Sequence, residues 1–327
     1  MALLIFLIII GLAILIGGAE ALVRGASSLA KRLGVSPLVI GLTIVAFGTS
    51  APELVVNMYA ALGGTTDIAI GNIVGSNIAN ILLIVGISAS IFPLAVQHST
   101  TWKEVPFALL ASVLVFVMGN DMLIDGVSFS SLTRTDGIAL IALFIIFMYY
   151  TVGLALAEKG QQEDDVDTYT YPFSIFYILI GSLGLFFGGK LLVDNASELG
   201  RIAGLSESLI GLTVVAIGTS LPELATSVVA AYRKETDLAI GNIVGSNIFN
   251  VFWILGLTSI ITPVPFNTTI NADVLVAVGA TLLLFIFILI GGKKKFLDTE
   301  RHVITRWEGI VFLLLYIGYT GYVIARG

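Results

Sequence analysis

GLTIVAFGTSAPE, residues 41–53, reappears as GLTVVAIGTSLPE at 211–223. Each copy is followed by a second shared stretch, GNIVGSNIAN at 71–80 and GNIVGSNIFN at 241–250. Both pairs are offset by 170 residues, so the chain is built from two homologous halves. Each copy sets a glutamate, Glu53 or Glu223, in an otherwise apolar segment just after Gly-Thr-Ser and a proline. An ionised carboxylate at membrane depth costs about 3 kcal/mol or more, so it persists there only with a partner or a cation. Two of them in duplicated helices broken by Gly and Pro point to a transport site at a repeat interface.

Apolar residues make up 57% of the 327, and charged residues only 12%, too few to cover the surface of a soluble domain this size. The apolar runs reach about 20 residues, enough to cross a hydrocarbon core of ~30 Å. The reading is an all-α polytopic membrane protein. Cysteine is absent, which removes disulfides, thiolate metal sites and cysteine nucleophiles. No basic patch suggests nucleic acid, and no protein partner is implied. The N-terminal MALLIFLIIIGLAILIGG lacks the basic region and small-residue cleavage site of a signal peptide and reads as a retained first helix.

Ten spans are expected, near 3–28, 37–62, 68–92, 104–119, 136–156, 172–199, 207–231, 238–262, 272–291 and 306–325. Residues 1–157 form a first five-helix repeat and 172–327 a second, joined by the acidic, solvated linker 158–171. Five spans per repeat force the second to insert upside down, an inverted-topology pair. With the N-terminus outside, the cytoplasmic connections carry twelve Lys and Arg, the external ones only Arg134, Arg201 and Arg326. Both termini are therefore expected outside, in the cell (inner) membrane, with the 158–171 linker in the cytoplasm.

Proline removes a backbone donor and clashes with the preceding turn, weakening spans 2 and 7 near their middles. Backbone freed in this way is tolerated at membrane depth only where it lines a cavity or meets other protein groups. Carbonyls around Ala46, Thr49, Ala216 and Thr219, with the hydroxyls of Thr49, Ser50, Thr219 and Ser220, then join the two glutamates. In spans 3 and 8, Ser76 and Asn80 share a helix face at i, i+4, as do Ser246 and Asn250. This all-oxygen inventory suits hard cations such as Ca²⁺ and Na⁺. One Ca²⁺ neutralises both glutamates, and sodium needs several ions to do so.

These motifs resemble the paired α-repeats of the calcium/cation antiporter superfamily, on the sodium/calcium exchanger side. The resemblance implies ten helices in an inverted repeat, a central site from spans 2, 3, 7 and 8, and spans 1 and 6 sliding past that core. It places the ion ligands on Ala46, Thr49, Ser50, Glu53, Ser76 and Asn80, and on Ala216, Thr219, Ser220, Glu223, Ser246 and Asn250. Proton-coupled calcium exchangers carry a GNxxE-type motif where this chain has GTSxPE, which disfavours proton coupling. The potassium-dependent branch has an aspartate where Asn250 stands, which argues against co-bound K⁺.

Other polar residues read as structural. Asn72, Asn77, Asn242 and Asn247 fall on other faces of spans 3 and 8 and are assigned to helix–helix bonding. Glu20 with Arg24, and Lys190 with Asp194, are self-neutralising i, i+4 pairs. Asp67 and Asp237 sit at helix N-termini, which favour a carboxylate. Lys293–Lys295 form a topology determinant that also suits anionic lipid. Gly11 with Gly181, and Gly18 with Gly188, occupy matching positions in spans 1 and 6 and are expected to ease sliding against the core. The reading is a secondary Na⁺/Ca²⁺ antiporter without a cofactor and not an enzyme. A Ca²⁺/H⁺ or other divalent-cation exchanger of the same fold is the alternative. A cation channel fits less well, and an intramembrane hydrolase lacks a nucleophile–base set.

Overall fold

The computed structural model describes residues 1–63, 66–157, 169–204, 216–291, 293–296 and 299–326. Its helices are α1 (Ala2–Leu33), α2 (Pro37–Thr49), α3 (Ala51–Leu62), α4 (Ala69–Ile91), α5 (Thr100–Met118) and α6 (Arg134–Ala157). The second half gives α7 (Tyr171–Ile202), α8 (Ala216–Thr219), α9 (Leu221–Tyr232), α10 (Thr236–Ile261), α11 (Thr268–Ile290) and α12 (Arg306–Arg326). Among the described residues eight helices are long and apolar enough to cross a membrane, nine when α2 and α3 count as one bent span. The remaining expected span, 207–231, begins within residues 205–215, which lie outside the described ones.

The breaks fall where the motifs place them. Pro52 has no N–H for the Gly48 carbonyl, α2 stops at Thr49, and the axis turns by 46° into α3. Ser50 and Ser220 adopt matching non-helical backbone at the two breaks (φ −82°, ψ 9° and φ −85°, ψ 4°). π-helical turns, where each carbonyl skips one residue further along, occupy Gly41–Val45, Ala79–Ile84 and Phe249–Leu255. The last two contain Asn80 and Asn250, and such turns recur at functional positions.

Helices α4 and α10 form the centre, with 72% and 83% of their apolar stretches buried against 17% for α6 and α12. Large apolar side chains of the peripheral helices, such as Phe6, Ile145 and Leu314, are exposed, as expected of faces turned to lipid. Helix α1 runs antiparallel to α7, and the expectation for their glycines needs correcting. A Cβ on Gly18 would lie 2.7 Å from Leu185 N and one on Gly181 2.5 Å from Leu22 N; Gly11 and Gly188 meet α7 and α1 backbone in the same way. These glycines bring the two helices together instead of smoothing a path against the core.

Two small sheets escaped the sequence reading because their strands are only two to six residues long. β1 (Leu94–Val96), between α4 and α5, pairs antiparallel with β5 (Thr299–Ile304), which pairs with β4 (Lys293–Phe296), both between α11 and α12. β2 (Ser131–Leu132), between α5 and α6, pairs with β3 (Val264–Pro265), between α10 and α11. The linker also departs from expectation at its end. Tyr169 donates its N–H to Ser28 Oγ at 2.8 Å and accepts from Arg32, so 169–171 is docked on α1; residues 158–168 lie outside the described ones. Asp237 bears out its reading at the start of α10, accepting from Gln97 at 2.7 Å and from Arg301 at 3.0 Å; the side chain of Asp67 is outside the described set.

Candidate functional site

Glu53 and Glu223 fall in the first turns of α3 and α9, just past the breaks, where unpaired helix N–H groups favour a carboxylate. Both are buried, at 0% and 1% exposure. Ser50, from the first half, donates to Glu223 Oε1 at 2.8 Å, and Ser246 donates to the same oxygen at 3.3 Å. Ser76 donates to Glu53 Oε1 at 3.2 Å. The remaining oxygen of each glutamate, Oε2, is buried without a hydrogen-bond partner.

Spans 3 and 8 repeat this pattern. Asn80 Nδ2 donates to Asn247 Oδ1 at 2.9 Å, and Asn250 Nδ2 donates to Asn77 Oδ1 at 3.0 Å. Both amides are thereby oriented, and in both the carbonyl oxygen Oδ1 is left buried and unpartnered. Four acceptor oxygens on equivalent pairs of residues are thus orphaned at one locus. A buried acceptor with no donor costs roughly 1–3 kcal/mol, and a charged one more. Two amide donors, Asn72 Nδ2 and Asn247 Nδ2, are buried without partners as well, but only the carboxylate oxygens carry charge.

The hydroxyls complete the wall. Thr49 Oγ1 donates to Asn242 Oδ1 at 3.0 Å, and Thr219 Oγ1 to Asn72 Oδ1 at 3.3 Å, which again are equivalent bonds in the two halves. Ser220 Oγ is buried without a partner. The Ala46 carbonyl is not free: it accepts from Ser50 N at 3.0 Å and from Thr49 Oγ1 at 3.3 Å. Ala216 opens α8 as its counterpart.

The Thr–Asn and Asn–Asn bonds that join the halves here have copies with the halves exchanged, since 49, 72, 77 and 80 plus 170 give 219, 242, 247 and 250; the bonds from Ser50 to Glu223 and from Asn77 Nδ2 to the Asn247 carbonyl do not. The four asparagines read as helix glue therefore do more. Asn77 and Asn247 aim the Asn250 and Asn80 amides, while Asn242 bonds Thr49, the Glu223 carbonyl at 3.4 Å and Ser227 at 2.9 Å. The three-residue spacing of Asn77 and Asn80, repeated at 247 and 250, was the signal that could have found them.

The sodium/calcium exchanger protein family matches this sequence over residues 3–153 and 173–325. The chain belongs to the sodium/calcium exchanger family. Sodium/calcium exchanger MaX1 of Methanosarcina acetivorans is 30% identical to it, over 96% of both proteins. Inner membrane protein YrbG of Escherichia coli (strain K12) is 38% identical over 79% of each. In three dimensions the chain is similar to the sodium-calcium exchanger NCX_Mj, with a TM-score of 0.81 and 33% identity, covering 99% of this chain and 100% of that one. As a member of this family the protein is a multi-pass, helical membrane transporter.

In this exchanger a cavity of about 530 Å³ reaches the site from one direction. Asn72, Ser76 and Thr219 line it together with Thr269, Asp273 and Arg326 of the α11 and α12 ends. On the α10 side, Gly241 and Gly245 are buried against α2, where a Cβ would meet Leu38 O at 2.7 Å and Ala46 Cβ at 2.9 Å. Gly71, the counterpart of Gly241, is exposed. The halves are alike in their Thr–Asn and Asn–Asn bonds and unlike in their access.

Glu20 and Arg24 form the expected pair at 2.8 Å, and Lys190 and Asp194 theirs at 2.9 Å. Glu20 also accepts from Arg233, which ties α1 to the end of α9. His98 rests near Trp102, with ring centroids 6.3 Å apart, and His302 lies opposite Val96 in the sheet; neither touches the site.

Proposed function

We propose that this protein exchanges Na⁺ for Ca²⁺ by alternating access, with Glu53 and Glu223 sharing the transported cation. The observation that carries this reading is the pair of orphaned, buried carboxylate oxygens flanked by the orphaned amide oxygens of Asn80 and Asn250. Ca²⁺ takes six to eight oxygens at roughly 2.3–2.6 Å. Two carboxylates, two amide carbonyls, the hydroxyls of Thr49, Ser50, Ser76, Thr219, Ser220 and Ser246 and the carbonyls of Ala46 and Ala216 form the pool from which it draws. Ala46 would exchange its contact with the Thr49 hydroxyl for the ion. One Ca²⁺ cancels the two carboxylates, and so do two Na⁺, which makes the ions competitors for one site. Asn250 adds no charge, which favours Na⁺ without K⁺.

The inverted ten-span arrangement is supported by the sheets. In a ten-span chain the α4–α5 and α11–α12 connections share one face and the α5–α6 and α10–α11 connections share the other, as the two sheets require. The face of β1, β4 and β5 carries most of the Lys and Arg and is assigned to the cytoplasm, with both termini outside. The cavity then opens outward, and the contacts of Gly241 and Gly245 with α2 close the inner path. The glycine seam makes α1 and α7 one unit, which slides against the four-helix core to reverse that asymmetry. An empty site carries two uncompensated charges, so the slide is unfavourable until a cation is bound.

Uptake of ⁴⁵Ca²⁺ into proteoliposomes loaded with Na⁺, with K⁺ or with neither tests the assignment. Uptake that needs internal Na⁺ and disappears in Glu53→Gln supports it. Uptake driven by a pH gradient alone points to the proton-coupled alternative.

A further inference from the structure

One carboxylate on the cavity wall takes no part in the site just described. Asp273, in the first turn of α11, is only 6% exposed and lines the same cavity as Ser76 and Thr219. Its Oδ1 accepts from Tyr319 at 3.1 Å and its Oδ2 from Arg326 at 2.8 Å. Arg326 lines the cavity as well, its side chain 37% exposed; it reaches the Thr269 carbonyl at 3.4 Å and lies over the Tyr322 ring. A cation travelling to Glu53 and Glu223 along this cavity passes an acid whose charge is cancelled by a partly exposed guanidinium.

We propose that Asp273 is a staging ligand for the transported cation and Arg326 its exchangeable counter-ion, so that the pair sets how readily Ca²⁺ loads from the side of the cavity mouth. This rests on the cation-exchange reading above. A carboxylate in an apolar wall focuses potential on the path and raises the local cation concentration, whereas a guanidinium beside it does the opposite. Ca²⁺ accepts a single carboxylate while keeping water on its other positions, as a staging step requires. The plainer role is a clamp that fastens α12 to α11, helped by the preference of a helix N-terminus for an acid. The acid and its tyrosine recur in the first half, where Tyr150 donates to the buried Glu104, 169 residues earlier, but the counterpart of Arg326 is Ala157, so the guanidinium alone sets this face apart. The proposed device therefore acts on one face only.

Side-specific kinetics separate the two roles. KM for Ca²⁺ is measured from each face in oriented vesicles, with thermal stability followed in parallel. Arg326→Gln frees the Asp273 charge and is expected to lower KM from the mouth side roughly three- to tenfold, an effect that shrinks as salt rises. Asp273→Asn is expected to raise KM from that side, Arg326→Lys to stay near wild type, and KM from the opposite face to stay unchanged in all three. If Arg326→Gln raises KM, or shifts it equally from both faces, or only lowers stability, the pair is a clamp and the proposal is wrong. Asp273→Asn could fail to fold, and the sign and sidedness of the two Arg326 variants then decide alone. A wild-type protein with no Ca²⁺ flux from either face would overturn the exchange reading and this proposal with it. Flux that Glu53→Gln abolishes, with no change in Arg326→Gln, would overturn this proposal alone.

Discussion

Glu53 accepts one hydroxyl hydrogen bond and Glu223 two, in each case on one oxygen, while the other oxygen has no partner. Glutamine at either position removes one charge and keeps the shape, so Ca²⁺ would sit with an uncompensated positive charge in a low-dielectric site. Each single substitution is expected to abolish Ca²⁺ transport while leaving the protein folded, since a neutral amide is easier to bury than a carboxylate. Near wild-type flux in either variant would remove the site assignment. Asn247 and Asn77 act one step back, fixing which atom of Asn80 and Asn250 faces inward. Alanine at Asn247 is expected to weaken Ca²⁺ affinity about 10–100-fold, as loss of a supporting partner does at metal sites. Direct Ca²⁺ titration of purified protein measures this. Duplication singled out the glutamates, the serines, Asn80 and Asn250 in the sequence as the candidate ligands. The second role of Asn77, Asn247 and Asn242 was hidden, because a polar residue facing a neighbouring helix looks the same whether or not that neighbour is a ligand.

Outside the membrane spans, Glu235 lies in the turn between α9 and α10. Burial holds its carboxyl above the ordinary range, and Asp237 adds to this, while Arg233 and the Ser27 hydroxyl of α1 oppose it. Beyond these, Arg233 faces Glu20 and Asp237 faces Arg301. A carboxyl whose folded pKa is raised contributes most below its unfolded value, and the contribution is lost as pH rises through the folded one. Glu235→Gln is therefore expected to melt higher than wild type at neutral pH, with the gap closing below about pH 4. A melting series in detergent across that range checks the sign.

At the scale of elements, the α1–α7 seam and the broken helices carry the account. Leucine at Gly18 or Gly188 would drive a side chain into backbone of the facing helix, where no side chain can move aside. Such overpacking costs about 1–3 kcal/mol or more. These variants are expected to lose thermal stability and to slow exchange together, while Ca²⁺ affinity changes little because the ligands belong to the core. An unchanged melting temperature would mean that the two helices do not pack as one unit. Glycines at matching positions marked small-residue faces on α1 and α7, but the sequence set them against the core instead of each other: spacing along one helix does not name its partner. The two breaks were legible for the opposite reason, since Pro52 and Pro222 act on their own backbone wherever the helix sits. The short strands β2 and β3 were not, as two residues carry no alternation to read.

Across the whole molecule, hydropathy and the 170-residue offset foretold the membrane class and the two halves, and family membership agrees with both. The difference in access between the halves was not legible, because equivalent sequences occupy unequal surroundings: Gly241 is buried where Gly71 is open. In the proposed mechanism that inequality is what alternating access exchanges, and the bound charge decides when it can. Everything therefore converges on whether Na⁺ and Ca²⁺ compete for two carboxylates. The most direct measurement is ⁴⁵Ca²⁺ uptake into proteoliposomes with Na⁺ inside, with K⁺ varied at constant Na⁺, in wild type and in Glu53→Gln and Glu223→Gln. Uptake that requires internal Na⁺, ignores K⁺ and vanishes in both variants is the predicted result. Uptake that persists in either variant, proceeds without Na⁺, or rises strongly with K⁺ would contradict the account.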